Sequence, residues 1–161
     1  MTFKNMTDFV KLAHLVAAIL WMGGMAFMLL ALRPAAVKLL EPPARLMLMG
    51  VVWKRFFLVV MVSIVTLFTS GSHLYTATFR AIKAATGQGS VPLGWNVMLV
   101  LGLLMMLIFG HIYFAGYARF KRAIAGQDWP LAGKAAAQIH TLMVTNFALG
   151  WLSIAAVRLV R

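Results

Sequence analysis

A chain of 161 residues with 63% hydrophobic side chains, fifteen Lys and Arg against three Asp and Glu, and no cysteine has the composition of one integral membrane domain. Its mean hydropathy of +0.90 points the same way. The lack of cysteine excludes disulfides, iron–sulfur clusters and thiolate metal sites. The net charge of +12 does not imply nucleic acid, because the basic residues fall between apolar runs and not along one face.

Four apolar runs follow in order, at roughly 9–32, 55–78, 95–118 and 135–158. Each is near the ~20 residues a spanning helix needs, and runs this long exclude strands. The first is expected to start after the capping pair Thr7-Asp8 and to stop at Arg33-Pro34. It is too long for a signal peptide, has a weak basic start and lacks a small-residue cleavage site, so it is expected to be retained. Glu41-Pro42-Pro43 breaks the next connection, after which Ala44 to Met49 either lie at the interface or extend the second helix. Flexible and basic loops are expected at Ala81–Gly94 and Arg119–Lys134, the latter including Trp129-Pro130. Trp53, Trp95 and Trp129 stand at the run edges, as an aromatic belt requires. The expected fold is all-α: a single transmembrane domain over 1–161, an up-and-down four-helix bundle.

Let side A be the side of the N-terminus and side B the other. Side A then carries Lys4, Lys11, Arg80, Lys83, Arg158 and Arg161; side B carries Arg33, Lys38, Arg45, Lys54, Arg55, Arg119, Lys121, Arg122 and Lys134. The excess on side B leans towards a cytoplasmic side B with both termini outside.

The four histidines, His14, His73, His111 and His140, fall one in each run. An ionisable residue inside a membrane helix is costly and normally faces the bundle interior. By residue count His14 and His73 share a depth near side A, and His111 and His140 share one near side B. About 12 residues separate the layers, or about 18 Å. Two imidazoles at one depth on different helices can clamp haem b from both faces. Lys11 and Arg80 share helical faces with His14 and His73 and lie nearer the surface, where haem propionates would meet them. On side B, Arg119, Lys121 and Lys134 are the corresponding cations. Gly71 and Gly110 beside the ligand positions would admit a flat cofactor or a neighbouring helix. A faint repeat places Gly24 and Gly150 ten residues after His14 and His140, followed by Met25 and Trp151.

Other chemistries compete for these residues. Isolated intramembrane histidines can simply bond a neighbouring helix. A histidine site for copper or zinc gains from Met22, Met25 and Met28, whose thioethers suit Cu(I), although methionine is also a common core filler. Asp8, Glu41 and Asp128 are the only acids and lie at or beyond the run ends, so there is no carboxylate pair and no buried proton-relay acid. Tyr113 and Tyr117 could serve a radical or proton step, or sit at the interface. Asn146 is expected to bond a neighbouring helix.

Lys11-x-x-His14 followed by Trp21-x-Gly23-Gly24 resembles the first helix of the copper-resistance protein D family of bacterial membrane proteins. The GSH at 71–73 and FGHIYFAGYARFKR at 109–122 fit the same general pattern. The architecture is also similar to the cytochrome b561 superfamily, whose four-helix cores hold two b haems between paired histidines. That resemblance implies two haems b, electron exchange with quinone, superoxide as another possible partner, and a place in the bacterial inner membrane. The first helix is similar, too, to the haem-containing protoporphyrinogen oxidase of bacteria, which implies oxidation of a porphyrinogen. The first family's name implies copper handling. The expectation is a di-haem electron-transfer protein, with copper transport and porphyrinogen oxidation as rivals. Its partners would be lipid and, as a candidate, quinone, with no nucleic acid; a homo-oligomer is left open.

Overall fold

The computed structural model describes residues 3–160, with side chains from Met6 onward. Thus Arg161 and the Lys4 side chain, both used in the charge comparison, lie outside the described residues. Inside lipid the backbone must satisfy its own hydrogen bonds, and among the described residues every regular element is helical. Helix α1, Phe3–Phe27, passes through a π-helical segment, Met28–Leu32, into α2, Arg33–Leu39. Helix α3 runs unbroken over Pro42–Thr86. Helix α4, Leu93–His111, continues through a second π segment, Ile112–Tyr117, into α5, Ala118–Ala125; α6 spans Trp129–Leu159. These make four spans long and apolar enough to cross a membrane, so the chain is a multi-pass membrane protein.

The helices are longer than the apolar runs that mark them. Pro34 does not end the first span: the Arg33 N–H bonds the Met28 carbonyl, a wider π register that accommodates a residue unable to donate. Proline survives in membrane helices where such local adjustment is available. Thr7-Asp8 does not cap the helix, which already runs through it; Asp8 instead pairs with Lys11 at 3.6 Å. Residues 44–49 extend the second helix, which begins with Pro42 and Pro43 in its first turn, where missing N–H groups cost nothing. Its 45 residues make it about 68 Å long, well beyond a bilayer of about 40–45 Å. The expected loop at 81–94 contracts to a turn after Thr86, with Gly87 at φ 72° closing the helix in the left-handed conformation. The basic loop at 119–134 is mostly helical. Pro130 opens α6, and the Asp128 carboxylate caps it by accepting from the Leu131 N–H at 2.9 Å.

Packing follows from small residues and rings. Helix α1 lies on α3 and α4 lies on α6, while α6 also touches α1 and α3. A Cβ on Gly94 would meet the backbone oxygens of Ala156 and Val160, so the third and fourth spans approach backbone to backbone on side A. Gly150 admits Met22 of α1, and Gly24 admits Phe56 of α3. The two glycines of the sequence repeat therefore act alike, each receiving a large side chain of another helix. Towards side B an aromatic core gathers around the fully buried Phe57, whose ring centre lies 5.1 Å from Tyr117, 5.7 Å from Phe109 and 6.3 Å from Trp53. Outside, stripes such as Leu12, Leu15 and Ile19, or Leu58, Val62, Val65 and Phe68, stay exposed, as a lipid-facing surface requires.

Candidate functional site

Among the polar groups of the interior, two stations involve histidines, one towards each side. On side A, His14 of α1 meets α3 at Ser70 and Gly71. Its Nδ1 lies 2.8 Å from Ser70 Oγ, and a Cβ on Gly71 would stand 3.3 Å from its Cε1. The hydroxyl has one proton, and Ser70 gives it to the Thr66 carbonyl in the turn below. Ser70 Oγ can then only accept from the histidine. With that proton on Thr66, His14 carries its hydrogen on Nδ1 and its lone pair on Nε2; with the Ser70 proton turned to Nδ1 the two ring nitrogens exchange roles. No hydrogen bond of the described structure involves Nε2. A histidine bound to an outer partner through one nitrogen, with the other unengaged, is an arrangement that both helix ties and metal ligands use.

His73 lies three residues beyond Ser70, about one turn nearer side A, and is exposed. The contact of His14 with Ser70 and Gly71 sets His14 and His73 within two or three residues in depth, so the depth matching expected for this pair agrees with the packing. Lys11 and Arg80 are exposed, and Lys11 shares its charge with Asp8.

On side B, His140 faces a slot of about 320 Å³ between α1–α2, α3 and α6. Arg33, Arg45, Trp53, Met28, Met49 and Met143 also line it. His111, at the junction of α4 with the second π segment, is exposed and does not line the slot. The expected pairing of His111 with His140 is thus not assembled in one pocket. The expected cations of side B are elsewhere as well: Arg119 donates to Gln138 Oε1 at 3.2 Å, and Lys121 stands 5.0 Å above the Tyr117 ring. Among the described residues no three His, Asp or Glu side chains converge as a metal-binding group.

Compared with known proteins, the chain matches no family model, no curated protein and no solved structure. Function therefore has to be argued from the site itself.

Several side chains take roles different from those read in the sequence. Trp53 is not a belt residue: it is 3% exposed, and its Nε1–H has no partner among the described residues. Tyr117 is buried in the aromatic core with its hydroxyl 3.4 Å from the Gly50 carbonyl, which suits packing better than radical chemistry. Asn146 does bond a neighbouring helix, through Nδ2 to the Met105 carbonyl at 3.2 Å. Met25 fills the core and Met28 reaches the slot. Ser70, Arg33 and Arg45 escaped the sequence reading as site residues. The signal for Ser70 was its place directly before Gly71; Arg33 and Arg45 sit on either side of Glu41-Pro42-Pro43, whose turn folds α2 back against α3.

Proposed function

We propose that this is a membrane-embedded b-type cytochrome, an electron-transfer protein in which His14 would hold haem b on side A. One observation carries the reading: the Ser70 contact that engages His14 Nδ1 and orients the ring inside the membrane, with Nε2 in no hydrogen bond of the described structure. An imidazole oriented through Nδ1, with Nε2 unspent, fits a ligand to iron. His73, close in depth on the adjoining helix, would be the second residue to hold the haem, and Lys11 and Arg80 would offset its carboxylates. When bound, the haem supplies one-electron chemistry; the chain supplies ligand orientation, a dry surround and the local field. The second haem expected on side B is not carried forward, because His111 stands outside the slot that His140 lines. Quinone in the surrounding lipid is the proposed electron partner, and the bacterial inner membrane, with side B cytoplasmic, the proposed location.

Copper handling remains the rival, and a specific observation favours it: Met28, Met49, Met143 and His140 line one slot, a soft ligand set for Cu(I). The same slot carries Arg33 and Arg45, whose charges oppose a bound cation. Absorption spectra of the purified protein, oxidised and then reduced with dithionite, separate the two readings. A b-type reduced spectrum is expected; a colourless protein that retains copper through purification would replace the cytochrome with the copper site.

A further inference from the structure

The side B slot has a chemistry of its own, independent of the haem reading on side A. The side chains that line it are hydrogen-bond donors or apolar, apart from His140, whose role depends on its tautomer; no carboxylate is among them. Glu41, the acid nearest in sequence, is exposed and does not line it. Arg33 and Arg45 bring two permanent positive charges to the level where the spans leave the apolar layer. Trp53 lies eight residues past Arg45 on α3, about 12 Å deeper by helical rise. Its indole is 3% exposed and its N–H has no acceptor among the described residues, although buried indole N–H groups normally find one. Met28, Met49 and Met143 supply flexible apolar contact beside it. Positive charge near the mouth, an unmet neutral donor further in and adaptable apolar walls together describe a ligand with anionic oxygens at one end and an apolar body.

We infer that this slot binds an amphipathic anion, with its phosphate or carboxylate head on Arg33 and Arg45 and its apolar chain along the methionines. In a phospholipid, an ester carbonyl beyond the phosphate would supply the acceptor for Trp53 Nε1–H. The surrounding leaflet could supply such a molecule as an anionic phospholipid, and the lipid phase could supply it as a free apolar acid; the recognition chemistry is shared.

Native mass spectrometry of the full chain in detergent, titrated with dioleoyl phosphatidylglycerol, oleate or dioleoyl phosphatidylcholine, tests the inference. One or both anionic probes should bind more tightly than the zwitterionic lipid. The double variant R33Q/R45Q should weaken anion binding about tenfold or more, because both charge-assisted contacts are lost. Trp53→Phe, which keeps the ring and removes only the donor, should weaken binding of phosphatidylglycerol, whose ester carbonyls lie beyond the phosphate, about fivefold and serves if the double variant does not fold. Lys83→Gln, an exposed cation on side A, should leave it unchanged. Binding of phosphatidylglycerol alone assigns the bilayer as the source, and binding of oleate alone a free acid. Equal binding of all three probes, or anion binding that survives both slot variants, would overturn the inference. So would loss of haem absorbance in R33Q/R45Q, since the slot would then hold the cofactor.

Discussion

At the scale of single residues, the consequential contact is the one between His14 and Ser70. An interhelical hydrogen bond in a membrane is worth only about 0.6–2 kcal/mol, so its removal should leave the bundle folded. Its effect on ligation should be larger, because the outer partner of a metal-binding histidine typically governs affinity by about 10–100-fold. Ser70→Ala should therefore purify as a folded protein with about tenfold weaker haem retention, measured by competition with apomyoglobin. Retention equal to wild type would reduce the bond to a helix tie. Charge near the same station makes a second prediction. A cation beside haem favours the reduced form, so neutralising one lowers the potential. Arg80→Gln should lower it by about 20–40 mV in a redox titration, and Lys11→Gln by less, since Asp8 already offsets that charge at 3.6 Å. Unchanged potentials in both variants would mean that these side chains reach only for lipid headgroups.

At the scale of the elements, close glycine contacts decide which helices can lie together. Gly94 faces the backbone oxygens of Ala156 and Val160, which cannot rotate away, whereas a Cβ on Gly102 would meet nothing within 4 Å. Gly94→Ala should cost about 1–3 kcal/mol through overpacking. Gly102→Ala should be neutral or stabilising by up to about 1 kcal/mol through its better helix propensity. Reversible unfolding in mixed micelles compares them directly, and equal stability of the two variants would contradict the packing of α4 on α6. The sequence made the four spans legible because hydropathy alone marks buried backbone. It misjudged their ends because proline and charge weaken a helix without stopping it. Pro34 is absorbed by the π segment, and Pro42, Pro43 and Pro130 sit in first turns. Counting residues from the run edges gives a relative level for each histidine, and His14 does meet α3 two to three residues from His73. Facing was not: residue counts do not register a change of helical period, and the third span shifts from α to π directly after His111. Nor could composition show that Trp53 lies inside the bundle instead of at its rim, because that depends on how α3 extends past the bilayer and packs against α5.

At the scale of the whole molecule, a long α3 projecting past the apolar layer and a basic collar on side B give the bundle two unlike ends. With side B cytoplasmic, the side A haem would lie close to the outer face and the arginine-lined slot at the inner one. The cysteine-free chain makes the orientation simple to test. Gln88→Cys, in the exposed turn on side A, should react with an impermeant maleimide on intact cells, and Gln127→Cys, in the exposed turn on side B, should react only after lysis. The opposite pattern would invert the assignment and move the His14 station to the inner leaflet.

The central claim, that His14 is an iron ligand, is tested most directly by a pyridine haemochrome assay on purified wild type and His14→Ala. The account predicts about one haem b per chain in the wild type and almost none in the variant, with both proteins folded and monodisperse. A wild type without haem, or a His14→Ala protein that keeps its full complement, would contradict it.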